Sequence, residues 1–284
     1  MVVCGPTASG KTALADGVAD YLSGPAGPAQ TLVVDSMQVY KELPVITNQA
    51  RDRPAELVSI TSVTDDWTMA RHRFAADGLI DGHDRPVVLD AGTGMYLNAL
   101  LLDIDLAPKV PEKTREEAEA LVAGAMHPSP NPRRSMREKE LELSGARKRG
   151  SIWSGVPRYD VNMVYLRPRR ETLDSSITLR SSKIVREGLE EAETLRSLAS
   201  KGQSPNPSVL ASIGVKELSD VLSGLISTTE AEARISTRTR RLARRQMRWF
   251  DKLALTLEGE ARVTTQTTPG ESPSLNSMFD ILGT

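Results

Sequence analysis

The chain has 284 residues, 39% of them hydrophobic and only 4% aromatic, and a net formal charge of −1. That length suits one large α/β domain with a smaller insertion, and its core has to be built mainly from Leu, Val, Ile and Ala. A single cysteine, Cys4, excludes an internal disulfide and a thiolate metal site, and no apolar run is long enough to span a bilayer.

From the N-terminus, VVC (2–4) reads as a strand and makes Cys4 a small buried hydrophobe. GPTASGKT follows, then ALADGVADYL, a helix with Leu14, Val18 and Leu22 on one face. The turn SGPAGPAQ leads to the strand TLVVD, which ends at Asp35. PVVLD is a third strand, ending at Asp90, and LNALLL is a helix. Later, YDVNMVYLRP gives another strand. Strands separated by helical patterns imply βαβ units, hence a parallel sheet covered on both faces.

The middle of the chain is different. Residues 107–156 are charged and punctuated by proline. PEKTREEAEALVAG reads as an exposed helix, HPSPNPRR as a loop and RSMREKELELSG as a second polar helix. We expect a helical insertion here, within a core made of 1–106 and 157–263. Three helices follow it, over 173–200, 208–222 and 228 to about 255, and a Ser/Thr/Pro-rich tail, 264–284, is expected to be flexible.

GPTASGKT is GxxxxGK[ST], between a strand and a helix. In Gly5, Pro6, Thr7, Ala8, Ser9 and Gly10 it has a loop whose backbone N–H groups, with the helix N-terminus, point at phosphate oxygens. Lys11 adds a positive charge, and the Thr12 hydroxyl is the candidate Mg²⁺ ligand. The motif does not name the owner of the phosphate. A kinase or NTPase would want an acidic strand end for Mg²⁺, and Asp35 and Asp90 both qualify. With strand and phosphate loop starting at once, the N-terminus does not read as a signal peptide, so a cytoplasmic protein is expected.

Two further motifs lie where open α/β sheets place their sites, at the C-terminal ends of strands: DSMQVY (35–40) and AGTGMY (91–96). SIGVKEL (212–218) and TRRLARRQMRWF (239–250) stand near the C-terminus. On the last helix Ile235, Leu242, Gln246, Trp249 and Leu253 share one face. Arg238, Arg240, Arg241, Arg244, Arg245 and Arg248 cover the others, a surface suited to phosphates. A solubilising face is the plainer alternative. In order, and from Val2 to about Asp251, these motifs resemble the tRNA dimethylallyltransferase family, whose patterns are GPTASGKT, DSxQVY, GGTGxY, IGYKE and TRxLAKRQxxWF.

The resemblance implies transfer of a dimethylallyl group from its diphosphate to N6 of the adenosine on the 3′ side of a tRNA anticodon. It makes Asp35 the general base, puts Thr93 near the leaving group and amine, and sets Arg180 on the diphosphate. Gly5 to Thr12 would hold that diphosphate with Mg²⁺. Asp35, Ser36, Met37, Gln38 and Thr93 would meet the target nucleotide. Arg115, Arg134 and Arg137 in the insertion, with Arg241, Arg244, Arg245, Gln246 and Arg248, would meet the anticodon stem-loop. A monomer is expected. The chain departs from the family pattern at PVITNQA after DSMQVY, where the family reads DIGTAKP, and at Ala91, Val215 and Ser176. The insertion is also shorter, which bears on how the anticodon arm is gripped.

Other roles stand beside these. Asp35 could ligate Mg²⁺ or cap a helix, Asp90 could lie in the metal's shell, and His72, His83 and His127 have no assigned role. Rival functions are prenylation of free adenine nucleotides, phosphoryl transfer or nucleotide hydrolysis, and RNA binding with a regulatory phosphate loop.

Overall fold

A computed structural model describes residues 1–25, 27–82, 85–106, 110–124, 132–146 and 150–266, apart from the side chains of 132–134. Chain contacts divide it into two compact units, Met1–Leu101 with Pro157–Thr284, and Leu102–Val156.

The first unit is built on five parallel strands in the order β2-β3-β1-β4-β5. In chain order its elements begin with β1 (Val2–Cys4), α1 (Lys11–Leu22), β2 (Gln30–Val34), α2 (Met69–Asp81), β3 (Val87–Ala91) and α3 (Gly94–Leu101). The second unit holds α4 (Glu112–Ala123) and α5 (Pro132–Leu143). The first unit resumes with β4 (Asn162–Leu166), α6 (Arg170–Glu187), α7 (Leu189–Ser200), α8 (Pro207–Leu210), α9 (Val215–Leu222), α10 (Thr228–Thr256) and β5 (Arg262–Gln266).

Every residue of β1 is buried, as a central parallel strand covered on both faces requires. Val3 lies between Asp90 of β3 and Val164 of β4. Leu14, Ala15 and Val18 of α1 pack on Val3, Val88 and Val164. Leu22 only borders that cluster. Cys4 is fully buried and burial pushes its thiol pKa up, so it is packing rather than chemistry. A second core lies under the segment after β2, where Val39, Tyr40, Leu43 and Ile46 pack on Ile184, Leu218 and Ile235.

Several expectations about the helices are corrected. The helix expected over 173–200 breaks at Gly188 into α6 and α7. The one expected over 208–222 becomes α8 and α9, because Gly214 turns at φ 98° and its N–H donates to Glu217 Oε2 at 2.9 Å, capping α9. The sequence reading passes over α2, which Thr68 caps by accepting from Arg71 N–H at 3.2 Å. The tail does not begin at 264: Thr264, Thr265 and Gln266 belong to β5, in register with Val164, Tyr165 and Leu166. The rest of the expected tail, 267–284, lies outside the described residues, as do His83 and His127.

Within the second unit, α4 and α5 are polar helices with Ala118 and Leu141 buried. Pro132–Arg134, read from the sequence as part of a loop, form the first turn of α5; the remainder, 127–131, lies outside the described residues. Arg115 (3.5 Å) and Arg137 (2.7 Å) both pair with buried Glu140. The Arg134 side chain lies outside the described residues.

His72 acquires a structural role. Its ring is fully buried beside Tyr96, with centroids 5.1 Å apart, and its Nδ1 accepts from the Trp67 indole N–H at 3.2 Å. Burial pushes its pKa down to about 4, the backbone at Val33 offsetting part of the effect. A histidine held neutral contributes stability that is present above its unfolded value, near 6.5, and lost as pH falls toward the folded value. Denaturant unfolding should therefore show a loss on the order of 3 kcal/mol between pH 6.5 and 4 that is absent in His72→Gln.

Candidate active site

The phosphate loop leaves β1 at Gly5 and enters α1 after Gly10. Ala8 at φ 64° and Gly10 at φ 83° turn it, and the left-handed Ala8 is unfavourable for a residue with a Cβ. Such strain persists where the surroundings hold it. Here Ala8 packs against Leu173, Ile177 and Ala243, from α6 and α10. Lys11 is buried, and the buried Ser9 Oγ has no hydrogen-bond partner among the described residues. A hydroxyl so placed in a loop of this shape fits an anion ligand.

The loops after β2 and β3 meet the cradle. Asp35 Oδ1 accepts from the N–H groups of Met37 (2.8 Å) and Gln38 (3.3 Å), an Asx turn that fixes the carboxylate. Its other oxygen, Oδ2, faces Gly92. A Cβ on Gly92 would lie 2.6 Å from Asp35 Oδ2, 3.2 Å from Lys11 Cε and 3.5 Å from Lys11 Nζ. The missing side chain is thus what lets an acidic and a basic group converge on one point. Thr93 Oγ1 accepts from Ser36 N–H at 3.1 Å and lies 3.4 Å from Ser36 Oγ, joining the two loops.

Arg180 on α6 donates to the Ile46 carbonyl at 3.4 Å. Burial lowers its pKa, and the Asp35 carboxylate opposes that shift, which marks their proximity. Glu191 on α7 fixes the same segment, accepting from Val45 N–H and, at 2.9 Å, from Ile46 N–H. Burial raises the Glu191 pKa against those two donors.

Gln246, read from the sequence as lying on the apolar face of the last helix and as meeting tRNA, links two loops of the site. Its Oε1 accepts from Thr7 N–H at 2.9 Å and its Nε2 donates to the Gly92 carbonyl at 2.7 Å. One amide therefore ties the phosphate loop to the loop after β3. One turn on, the Trp249 indole donates to Asn98 Oδ1 at 2.9 Å and lies over Gly94, where a Cβ would stand 2.2 Å from the ring. The buried stripe of α10 runs through Ala231, Ile235, Ser236, Thr239, Ala243, Phe250 and Leu253. Leu242 and Trp249, expected on it, are only half-buried.

The arginines of α10 divide in two. Arg238 pairs with Glu217, and Arg240 with Asp174 at 3.1 Å. Arg241, Arg244, Arg245 and Arg248 are exposed and have no carboxylate partner among the described residues. Met37 packs against the second core and Gln38 is buried, so part of DSMQ builds the loop.

Sequence reading missed Arg51 altogether. The Thr12 hydroxyl donates to Asp90 Oδ2 at 2.9 Å. Arg51 Nη2 donates to the same oxygen at 3.2 Å and to Asp16 Oδ1 at 3.1 Å. Among the described residues no group of three or more His, Cys, Asp or Glu could hold a metal ion. A divalent ion here would depend on a few protein oxygens together with phosphate, the usual Mg²⁺ arrangement. No described helix is long and apolar enough to cross a membrane.

The family model described as IPP transferase matches residues 38–253. A tRNA dimethylallyltransferase of Rubrobacter xylanophilus is 55% identical over 289 residues, covering 100% of this chain and 98% of that protein. The crystal structure of a full-length tRNA isopentenylpyrophosphate transferase from Bacillus halodurans superposes with a TM-score of 0.69 at 27% identity, covering 99% of this chain and 93% of the other. At the level of fold alone, a eukaryotic dimethylallyltransferase acting on tRNA gives a TM-score of 0.73 at 23% identity, over 99% of this chain and 77% of that one.

The Gln246 clamp generates a prediction. Gln246→Ala leaves the Thr7 N–H and the Gly92 carbonyl without their partner. Calorimetric titration with inorganic diphosphate should then show binding roughly tenfold weaker, equivalent to about 1.4 kcal/mol.

Proposed function

Since the chain belongs to the IPP transferase family, the tRNA dimethylallyltransferases, we propose that it transfers a dimethylallyl group from dimethylallyl diphosphate to N6 of the adenosine 3′ to a tRNA anticodon. The observation that carries the reading is the convergence of Asp35 Oδ2 and Lys11 on Gly92, at the mouth of a phosphate loop.

The adenine amine is a poor nucleophile because its lone pair is delocalised. As N6 attacks the allylic carbon, Asp35 takes the N6 proton, and its Asx turn keeps Oδ2 directed for that task. The allylic C–O bond breaks and its electron pair leaves on the diphosphate. Loop N–H groups and Lys11 stabilise that charge where it develops. Arg180 supports the same side of the site, close to Asp35. Thr93, bonded to Ser36, keeps the two substrate-facing loops at a fixed separation.

The orphaned Ser9 Oγ and Asp90 Oδ1 fit a site completed by an anion and its cation. Thr12 and the diphosphate would hold Mg²⁺, which neutralises leaving-group charge when bound. The target base has to leave its stack, which a loop nucleotide does at low cost. Arg241, Arg244, Arg245 and Arg248 supply phosphate contacts, and the insertion, with Arg115, Arg134 and Arg137, addresses the anticodon arm. Because two of these also pair with Glu140, their contribution to RNA is shared with a structural one. The protein acts as a monomer in the cytoplasm, where its substrates are.

The decisive assay supplies radiolabelled dimethylallyl diphosphate and Mg²⁺ with unmodified tRNA, AMP or ATP as acceptor. Label in tRNA alone is expected; label in AMP would instead identify a free-nucleotide enzyme. Asp35→Ala should slow transfer at least 100-fold with tRNA binding largely intact, and equal rates would remove Asp35 as the base. Filter binding of the Arg244→Ala, Arg245→Ala double variant should show weaker tRNA affinity, with a log–log salt slope shallower by about 1.5.

A further inference from the structure

The Thr12 hydroxyl belongs to two systems, the cradle and a buried charge cluster that no motif announces. Asp90 is the last but one residue of β3 and 2% exposed, Asp16 lies one turn after Thr12 on α1, and Arg51 comes from the segment after β2. The side chains of Arg51, Asp16 and Asp90 are 6%, 7% and 1% exposed. Two carboxylates share one guanidinium, so the triad carries one negative charge it does not balance.

Its geometry is also incomplete as an ion pair. A guanidinium facing a carboxylate favours a fork of two parallel bonds. Arg51 instead spends the single Nη2 on both Asp16 and Asp90, and its buried Nε and Nη1 have no partner among the described residues. Asp90 Oδ2 receives both Thr12 and Arg51, while the buried Asp90 Oδ1 receives nothing from the described residues. That oxygen is one carboxylate width from an atom bonded to the Thr12 hydroxyl. A buried carboxylate oxygen beside a phosphate loop needs a donor, and the charge count calls for a cation.

We propose that Asp90, held in place by Arg51 and Asp16, is a positioning residue for Mg²⁺: it orients the Thr12 hydroxyl and accepts, through Oδ1, a hydrogen bond from ion-bound water. This rests on the reading of the cradle as an Mg²⁺–diphosphate site. It gives the strand end after β3 a task distinct from that of Asp35. The two acidic residues at the ends of β2 and β3, either of which the phosphate-loop motif alone would accept, divide proton transfer and metal support between them. The residue that separates them is Arg51, which pairs with Asp90.

The test uses Mn²⁺ in place of Mg²⁺, inorganic diphosphate as the anion and the full chain without tRNA. Electron paramagnetic resonance counts bound Mn²⁺, and calorimetry measures diphosphate binding with and without EDTA. Asp90→Asn keeps the shape and the Thr12 contact but loses the charge. It should weaken Mn²⁺ binding 10- to 100-fold with no loss of diphosphate affinity in EDTA. Arg51→Gln should weaken Mn²⁺ binding several-fold and Arg51→Lys should restore part of it, and this pair decides the matter if Asp90→Asn does not fold. Wild-type Mn²⁺ affinity in Asp90→Asn, even with a lowered melting temperature, would reduce the triad to a structural ion pair and overturn the proposal while leaving the metal reading intact. No diphosphate-dependent Mn²⁺ binding by the wild type would overturn both.

Discussion

The side-chain amide of Gln246 governs the geometry of the site. A phosphate loop is a run of backbone donors with little packing of its own, so something outside it has to fix its position. The Gln246 carbonyl oxygen takes the Thr7 N–H and its NH₂ group gives to Gly92. That single group sets the distance between the cradle and the loop bearing Thr93. It can do so only because α10 is held on both sides, by Phe250 and Leu253 in the core and by Trp249 over Gly94. An amide suits this place because it offers one donor and one acceptor, and a leucine of similar size would leave both loop groups unpaired.

The charges of the first unit are sorted by the same logic. Arg238 and Arg240 join α10 to α9 and α6 through Glu217 and Asp174. Arg51 and Arg180 are drawn inward, the first between two carboxylates and the second near Asp35. Among the described residues, Arg241, Arg244, Arg245 and Arg248 of α10 face outward with no carboxylate partner. A chain with almost no net charge thus carries a cluster of positive charge on one helix.

The sequence made legible what local chemistry encodes. The strands of the parallel sheet follow from unbroken apolar runs, the cradle from glycine and lysine spacing, and the loops after β2 and β3 from their motifs. It hid what depends on distant pairing. β5 reads as a polar tail because its Thr and Gln residues lie at the sheet edge, half-exposed, and acquire strand character only by pairing with β4. The breaks at Gly188 and Gly214 are visible as glycines but not as breaks, since tertiary packing decides whether a helix continues. Gln246 stood inside a recognised motif, but its bonds to Thr7 and Gly92 could not be read from it. Arg51 carried no signal at all, because one arginine in a polar segment is normally solvated and only the fold brings it between Asp16 and Asp90.

The clamp also has a direction in time. Thr7 and Gln246 are 239 residues apart, so the phosphate loop is fixed by a helix that is synthesised long after it. During synthesis at roughly 5–20 residues per second, the cradle waits about 12 to 48 s for the amide that will hold it. Once made, β4 also lacks its outer neighbour for the remainder of that interval, since β5 emerges later still. The loop therefore stays unclamped until α10 has been made, and the unpaired edge of β4 makes that interval one of exposure to aggregation.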